Sequence, residues 1–359
     1  MKILTIVGAR PQIIKAAAVS RAMREVYPEL IEERILHTGQ HYDDAMSGLF
    51  FDELDIPRPA YNLGVGSATH GRQTARMLEG IEEVLLSDKF DAVIVYGDTN
   101  STLAGALAAS KLHIPLHHVE AGLRSRNMAM PEEVNRLVAD RLSSLLFAPT
   151  EEACINLRHE GYKEEAIVNS GDVMYDNVLH FANLSRTYSH IVESLGLEGK
   201  RFALATVHRD FNTDNPKRLG DIMTALDTIA ANGTPVVLPL HPRTKGRLST
   251  TSYPHITFTE PVQYLDTLQL ESNAQVVLTD SGGVQKEAYF MRRPCVILRP
   301  ETEWVEIVRN GAAELADADT NRILQAYYRM SGITVAEPTA YGDGNAAKKI
   351  IIKIVNFAQ

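Results

Sequence analysis

Cysteine is almost absent from the chain: two residues in 359, Cys154 and Cys295, far apart and in no metal-like spacing. That excludes a disulfide-stapled fold and fits two inert buried thiols in a reducing compartment. Long apolar runs are missing as well. The opening MKILTIVGARPQ carries a strand-length run, too short for a signal peptide or a membrane span. A basic excess is lacking: 36 Lys and Arg against 45 Asp and Glu leave a net charge of −9, which argues against nucleic acid or an anionic membrane as partner. The dinucleotide fingerprint G-x-G-x-x-G is missing too. Its nearest match, Gly64-Val65-Gly66-Ser67-Ala68-Thr69, lacks the last glycine, so a nicotinamide-dependent mechanism loses support. There is no internal repeat, low-complexity tract or long linker. These absences describe a soluble cytoplasmic protein.

What is present is ordinary in bulk and informative in pattern. Apolar residues make up 45% and charged residues 23%, and the length calls for two domains. Short apolar strands alternate with helical spacing. Strands are expected at Ile3–Val7, Arg34–His37, Ala92–Tyr96, Leu116–Val119, Leu145–Ala148 and Ala166–Asn169. Helices are expected at Pro11–Glu25, His41–Glu53, Thr69–Leu86, Glu151–His159 and Tyr175–Leu195. The series restarts with strands at Phe202–Val207, Pro235–Leu240, Gln275–Leu278 and Pro294–Leu298, a helix at Pro216–Ala231 and a last helix at Asn345–Phe357. This alternation predicts an α/β protein of two Rossmann-like, doubly wound domains, residues 1–171 and 172–344. A cleft would lie between them, and residues 345–359 would return to the first. Ligands of such sheets bind beyond the carboxyl ends of the strands.

The candidate chemistry stands at those ends. Gly8-Ala9-Arg10 follows the first strand, with Lys15 one turn into the helix. Arg10 offers a planar fork for phosphate and Lys15 a second charge. Asp98, Glu120 and Glu132 follow as strand-end or loop carboxylates. Crowded acids raise one another's pKa and can supply both an acid and a base. The plainer readings are a helix cap for Asp98 and a salt bridge from Glu120 to Arg124 or Arg136. His117 and His118 point to opposite faces of a strand and lack a third ligand for zinc. In the second half, Val276–Glu287 reads as a buried strand, the turn Thr279-Asp280-Ser281-Gly282-Gly283 and a helix start, an anion site by its N–H groups and dipole. Glu287, one turn on, can meet ribose hydroxyls. His208 ends another strand and can donate to phosphate; His241-Pro242-Arg243 is a weaker equivalent.

With these residues assembled, the chain resembles the non-hydrolysing UDP-N-acetylglucosamine 2-epimerases over essentially its whole length. The likeness rests on GARPQIIK (Gly8–Lys15), GDTNST (Gly97–Thr102), HVEAGLR (His118–Arg124), PEEVNR (Pro131–Arg136), TVHR (Thr206–Arg209), TDSGGVQKE (Thr279–Glu287) and YGDGNA (Tyr341–Ala346). It implies the two-domain fold of inverting glycosyltransferases, a UDP-sugar substrate and a homodimer, with neither cofactor nor obligatory metal. It also implies isomerase chemistry by elimination of UDP to a 2-acetamidoglucal and re-addition, for surface-polysaccharide precursors. Position by position, it assigns Arg10, Lys15, His208, Ser281, Gly282, Gly283 and Glu287 to UDP. Asp98, Glu120 and Glu132 become the acid/base set, with His208 counted beside them.

Some positions depart from the common pattern. Gln12-Ile13 replace Glu-Ala, Trp304 stands where many members carry a nucleotide-contacting arginine, and Asp210-Phe211-Asn212 follow His208-Arg209. Asp43 replaces a glutamine of members activated by UDP-N-acetylglucosamine. These features resemble a branch acting on UDP-2,3-diacetamido-2,3-dideoxyglucuronate. A hydrolysing epimerase, a UDP-sugar-dependent glycosyltransferase and a nucleotide-sugar sensor are the competing functions compatible with the same motifs.

Overall fold

Ala92–Tyr96 reads AVIVY and is buried at every position, the pattern of a strand covered on both faces. In the computed structural model, which describes residues 1–40 and 56–358, it is the fourth of thirteen strands among the described residues. The chain divides into two compact units, Met1–Asn177 with Thr339–Gln359, and Val178–Pro338. The first division falls inside the helix Val173–Tyr188, whereas the sequence suggests a break at 171. The expected helix His41–Glu53 and the departure at Asp43 lie outside the described residues.

The first unit holds strands β1 (Lys2–Val7), β2 (Glu32–His37), β3 (Tyr61–Asn62), β4 (Ala92–Tyr96), β5 (Leu116–Val119), β6 (Leu145–Ala148) and β7 (Ile167–Asn169). They form one parallel sheet in the order β3-β2-β1-β4-β5-β6-β7, with Ile3 opposite Ala92 and Val93 opposite Leu116. The order reverses between β1 and β4, so their outgoing loops diverge and open a crevice. Leu4, Ile6, Leu36, Val93 and Val95 pack with Met77 and Ile81 from the helix His70–Ser87 to fill one face. The Gly64–Thr69 stretch follows the two-residue edge strand β3. Val65 donates to the Thr38 carbonyl and Gly66 to that of Gly39, a structural use for glycines at φ 57° and 69°.

The second unit repeats the plan with β8 (Ala203–Thr206), β9 (Val236–Pro239), β10 (Thr257–Thr259), β11 (Val276–Thr279), β12 (Cys295–Ile297) and β13 (Ala313–Leu315), ordered β10-β9-β8-β11-β12-β13. Its core joins Ala203, Val236, Leu238, Val276 and Leu278 to Ile222 and Leu226 of the helix Pro216–Ala231. From the helix Thr320–Met330 come Ile323, Ala326, Tyr327 and Met330, spaced to share one face. Two helices replace the single one expected over Tyr175–Leu195. Val173–Tyr188 ends and Ile191–Ser194 begins because Ser189 gives its hydroxyl to Asp266, 2.6 Å away, and accepts the Ile191 N–H.

The helix Ala346–Ala358 belongs to the first unit and lies against the helix Arg10–Val26. Asp176 accepts the N–H groups of Ala346 and Ala347 at 3.0 and 2.8 Å, capping its start. Asn177 donates to the Ile14 carbonyl. Gly171 and Gly342 (φ 82° and 94°) let the outgoing and returning chains touch. A Cβ on Gly171 would sit 2.8 Å from the Tyr341 oxygen. No helix among the described residues is long and apolar enough to cross a membrane.

His117 lies on the inner strand β5 of the first sheet. It is fully buried, with its ring edge-on to Phe147 and Phe357 at 6.5 and 5.6 Å. Burial pushes its pKa down to about 4. The unfolded chain therefore binds the proton first, and stability falls as pH drops from about 6.5 to about 4, by about 3 kcal/mol. In urea titrations at pH 7 and pH 4, His117→Leu should remove most of this loss; an unchanged pH dependence would show that the ring is not its source.

Candidate active site

In the first unit the turns after β1, β4 and β5 converge. Gln12 builds the first of them. Its side-chain oxygen accepts the N–H groups of Gly8 and Ala9 at 2.9 and 3.2 Å, and its amide donates to the Tyr96 carbonyl and Thr102 hydroxyl at 2.8 and 3.0 Å. One side chain thus satisfies the end of β1 and ties it to β4 at the point where strand order reverses. A Cβ on Gly8 would fall 2.1 Å from the Ser101 hydroxyl, so this close approach admits only glycine. Arg10 opens the helix, exposed to solvent.

Lys15 reaches from that helix to Glu120 at the end of β5, 2.5 Å away, with both side chains largely buried. A buried charge this well enclosed requires a partner. The Lys15 ammonium passes over Gly97, where a Cβ would lie 3.1 Å from it. Glu120 holds φ 72°, a left-handed conformation costing a non-glycine residue about 1–2 kcal/mol and typical of functional sites. Asp98 accepts Arg136 through Nε and Nη2 at 3.0 and 2.6 Å, while Arg136 also reaches Glu133 at 2.6 Å. Asn135 donates to the Asp98 carbonyl at 2.9 Å.

Of the three expected acids, Asp98 and Glu120 stand at neighbouring strand ends, each held by a cation from a helix. Glu132 lies exposed in the first turn of the helix Pro131–Leu142, while its neighbour Glu133 is buried. Glu132 precedes Arg136 by four residues and so shares its helix face. Glu133 accepts N–H groups from Ser125 and Arg126 at 2.9 and 2.8 Å. Burial alone would raise its carboxyl, but these donors and Arg136 hold it below the usual range. The sequence does not single out Glu133; adjacent glutamates give no spacing signal to tell the loop-bracing one from the exposed one.

The second unit organises its turns around Asp280, which is fully buried. Its carboxylate accepts the backbone N–H of His208 at 3.1 Å, that of Arg209 at 3.0 Å and the Asn212 amide at 3.1 Å. It bridges β11 to the turn after β8, the second point of strand reversal. The His208 Nδ1 lies 3.7 Å from it, and the His208 and His241 rings are 5.4 Å apart. The side chains of Pro242 and Arg243 fall outside the described residues. Ser281 caps the helix Gly282–Phe290, its hydroxyl facing the Val284 N–H at 3.5 Å. A Cβ on Gly282 would meet the Glu303 carboxylate at 2.6 Å and the Trp304 indole nitrogen at 3.4 Å, whereas Gly283 is open. Trp304 also covers the Lys286 ammonium, 4.1 Å from the ring centre. Glu287 is buried and accepts the Tyr264 hydroxyl at 3.2 Å. Beside it, burial pushes the Glu271 carboxyl far up, helped by the Glu287 charge.

The family model described as UDP-N-acetylglucosamine 2-epimerase matches residues 25–355. The chain belongs to this family. It is 50% identical over 354 residues to the UDP-2,3-diacetamido-2,3-dideoxy-D-glucuronate 2-epimerase of Pseudomonas aeruginosa, covering 98% of both chains. The crystal structure of Methanocaldococcus jannaschii UDP-GlcNAc 2-epimerase in complex with UDP-GlcNAc and UDP superposes with a TM-score of 0.87 at 41% identity, covering 99% of this chain and 100% of that one. The Neisseria meningitidis enzyme bound to UDP-GlcNAc gives 0.88 at 28% identity, over 99% and 100%. This epimerase family fits two switch-point sheets, one edged by acids and the other by a glycine-rich helix start.

Asp280→Ala would take the acceptor from three donors, the two partly buried N–H groups and the buried Asn212 amide. It should cost the second unit about 2–4 kcal/mol in chemical denaturation. A loss below about 1 kcal/mol would mean that the turn after β8 is held by something else.

Proposed function

We propose that the protein is a non-hydrolysing UDP-2-acetamido-sugar 2-epimerase, interconverting UDP-N-acetylglucosamine and UDP-N-acetylmannosamine. The observation carrying this reading is the pair of cation-held carboxylates, Asp98 with Arg136 and Glu120 with Lys15, at adjacent strand ends. A carboxylate takes the C2 proton, the C–H electron pair becomes the C1=C2 double bond, and the C1–O pair leaves with UDP. Re-addition of UDP to the 2-acetamidoglucal returns a proton to the opposite face of C2. Asp98, Glu120 and Glu132 supply the acid/base groups. Arg10, Lys15 and His208, with the N–H groups at Ser281, Gly282 and Gly283, take the diphosphate charge as it leaves. Glu287 holds the ribose. A cytoplasmic homodimer feeding surface-polysaccharide synthesis belongs to the same reading.

A second substrate, UDP-2,3-diacetamido-2,3-dideoxyglucuronate, is favoured by one observation. Trp304, braced on Lys286, stands over Gly282 where an arginine is common, and the Pseudomonas relative is named for that sugar. Offering both sugars in D2O decides between them. The substrate gains deuterium at C2 without stoichiometric free UDP. Free UDP with N-acetylmannosamine would make the enzyme hydrolysing, and no label at C2 on either sugar would remove the epimerase reading.

Glu120→Gln should lower turnover by about 10²–10⁴, far more than it changes UDP affinity; rates like wild type would remove Glu120 from the chemistry. Arg10→Ala and His208→Ala should each weaken UDP by about tenfold or more in calorimetry. Unchanged affinity would displace the phosphate from them.

A further inference from the structure

His118 takes no part in the reaction proposed above, yet it is fully buried within the first unit's sheet. Its Nδ1 is 2.6 Å from Asp140 Oδ1 and its Nε2 is 2.7 Å from the Gly97 carbonyl oxygen. Both partners are acceptors, so the ring serves as the donor. Asp140 is not spare to donate. Its second oxygen accepts the Gly122 N–H at 3.1 Å and pairs with Arg124 at 2.7 Å. Burial alone would raise the Asp140 carboxyl, but His118 and Arg124 hold it below the usual range. Arg124 is anchored in turn by Glu160, through two bonds of 2.7 Å.

The other end of the ring grips the turn that carries Asp98. The Gly97 N–H donates to the Val119 carbonyl at 3.0 Å, and its own carbonyl accepts from His118. Two consecutive residues of β5 therefore hold both sides of Gly97. That residue, at φ 60°, also forms the floor under Lys15. The next residue is Asp98.

We propose that His118 is a positioning residue, clamped by Asp140, that fixes the Gly97 carbonyl and thereby aims Asp98 at the substrate. The charges facing it are Asp140 from the helix Pro131–Leu142 and Arg124 from the loop after β5. Lys15, paired with Glu120, lies against Gly97 itself, and Asp98 is the next residue. The role rests on the epimerase reading for Asp98, whereas the bond from the ring to the Gly97 carbonyl does not.

Two substitutions separate the contacts. His118→Gln can place an amide donor where Nε2 lies and keep the Gly97 bond. His118→Asn can keep only the Asp140 side. With equal folded stability, Asn should lower kcat by about 10–100-fold with UDP affinity unchanged, as expected for a misplaced group, and Gln should restore most of it. Equal losses in both variants, or a loss in UDP affinity matching that in kcat, would overturn the positioning role. Should His118→Asn fail to fold, nitrogen-15 spectra of histidine-labelled wild type, assigned with His118→Gln, test the clamp alone. They should show Nε2 of His118 carrying a proton, and a bare Nε2 would overturn the clamp. Absence of C2 exchange in wild type would instead count against the epimerase reading and leave the spectral result standing.

Discussion

The ion pair between Lys15 and Glu120 is the contact on which the first unit's site depends. Its 2.5 Å span joins the helix after β1 to the end of β5, passing over β4. Gly97 leaves room for the crossing, since a Cβ there would lie 3.1 Å from the ammonium. Neither charge could stay so enclosed alone, since an unpaired buried ion costs several kcal/mol. The pair thus sets a demand on three strand ends at once: a glycine turn, a left-handed Glu120 and a helix placed one turn from β1 by Gln12.

The second unit meets the same geometric problem with a different group. Where strand order reverses, the backbone after the first strand must find acceptors for its N–H groups. In the first unit a neutral amide from the following helix supplies them. In the second, the Asp280 carboxylate reaches across from β11. The choice follows the neighbours. Gln12 must also donate to the Tyr96 carbonyl, which a carboxylate cannot do, whereas the His208, Arg209 and Asn212 groups that meet Asp280 are all donors.

Much of the architecture is legible in the sequence because central strands of parallel sheets are apolar on both faces. The apolar runs of Ala92–Tyr96 and Leu145–Ala148 mark their strands to the residue. The edge strands Tyr61–Asn62, Thr257–Thr259 and Ala313–Leu315 leave no such mark. They are two or three residues long and only partly buried, so they carry no run to detect. In the site, Asp98, Glu120, His208 and Ser281 are visible as polar residues ending apolar strands. Gln12 stands out only as a departure from a pattern, Asp280 only as one capping oxygen among three, and Glu133 not at all. Their work is to satisfy backbone donors contributed by distant turns, and linear spacing does not encode which turn meets which side chain.

The close approach of Gly171 to Tyr341 and Gly342 has a consequence for synthesis. Everything after Pro338 leaves the ribosome later than the whole second unit, yet Ile350, Ile351, Ile354 and Val355 are buried in the first. Until then the helix Arg10–Val26 lacks the apolar face that covers it. Domains usually fold in the order they emerge, but here the earlier one is closed by the later chain. A nascent chain stalled before residue 339 would hold a finished second unit and an open first one.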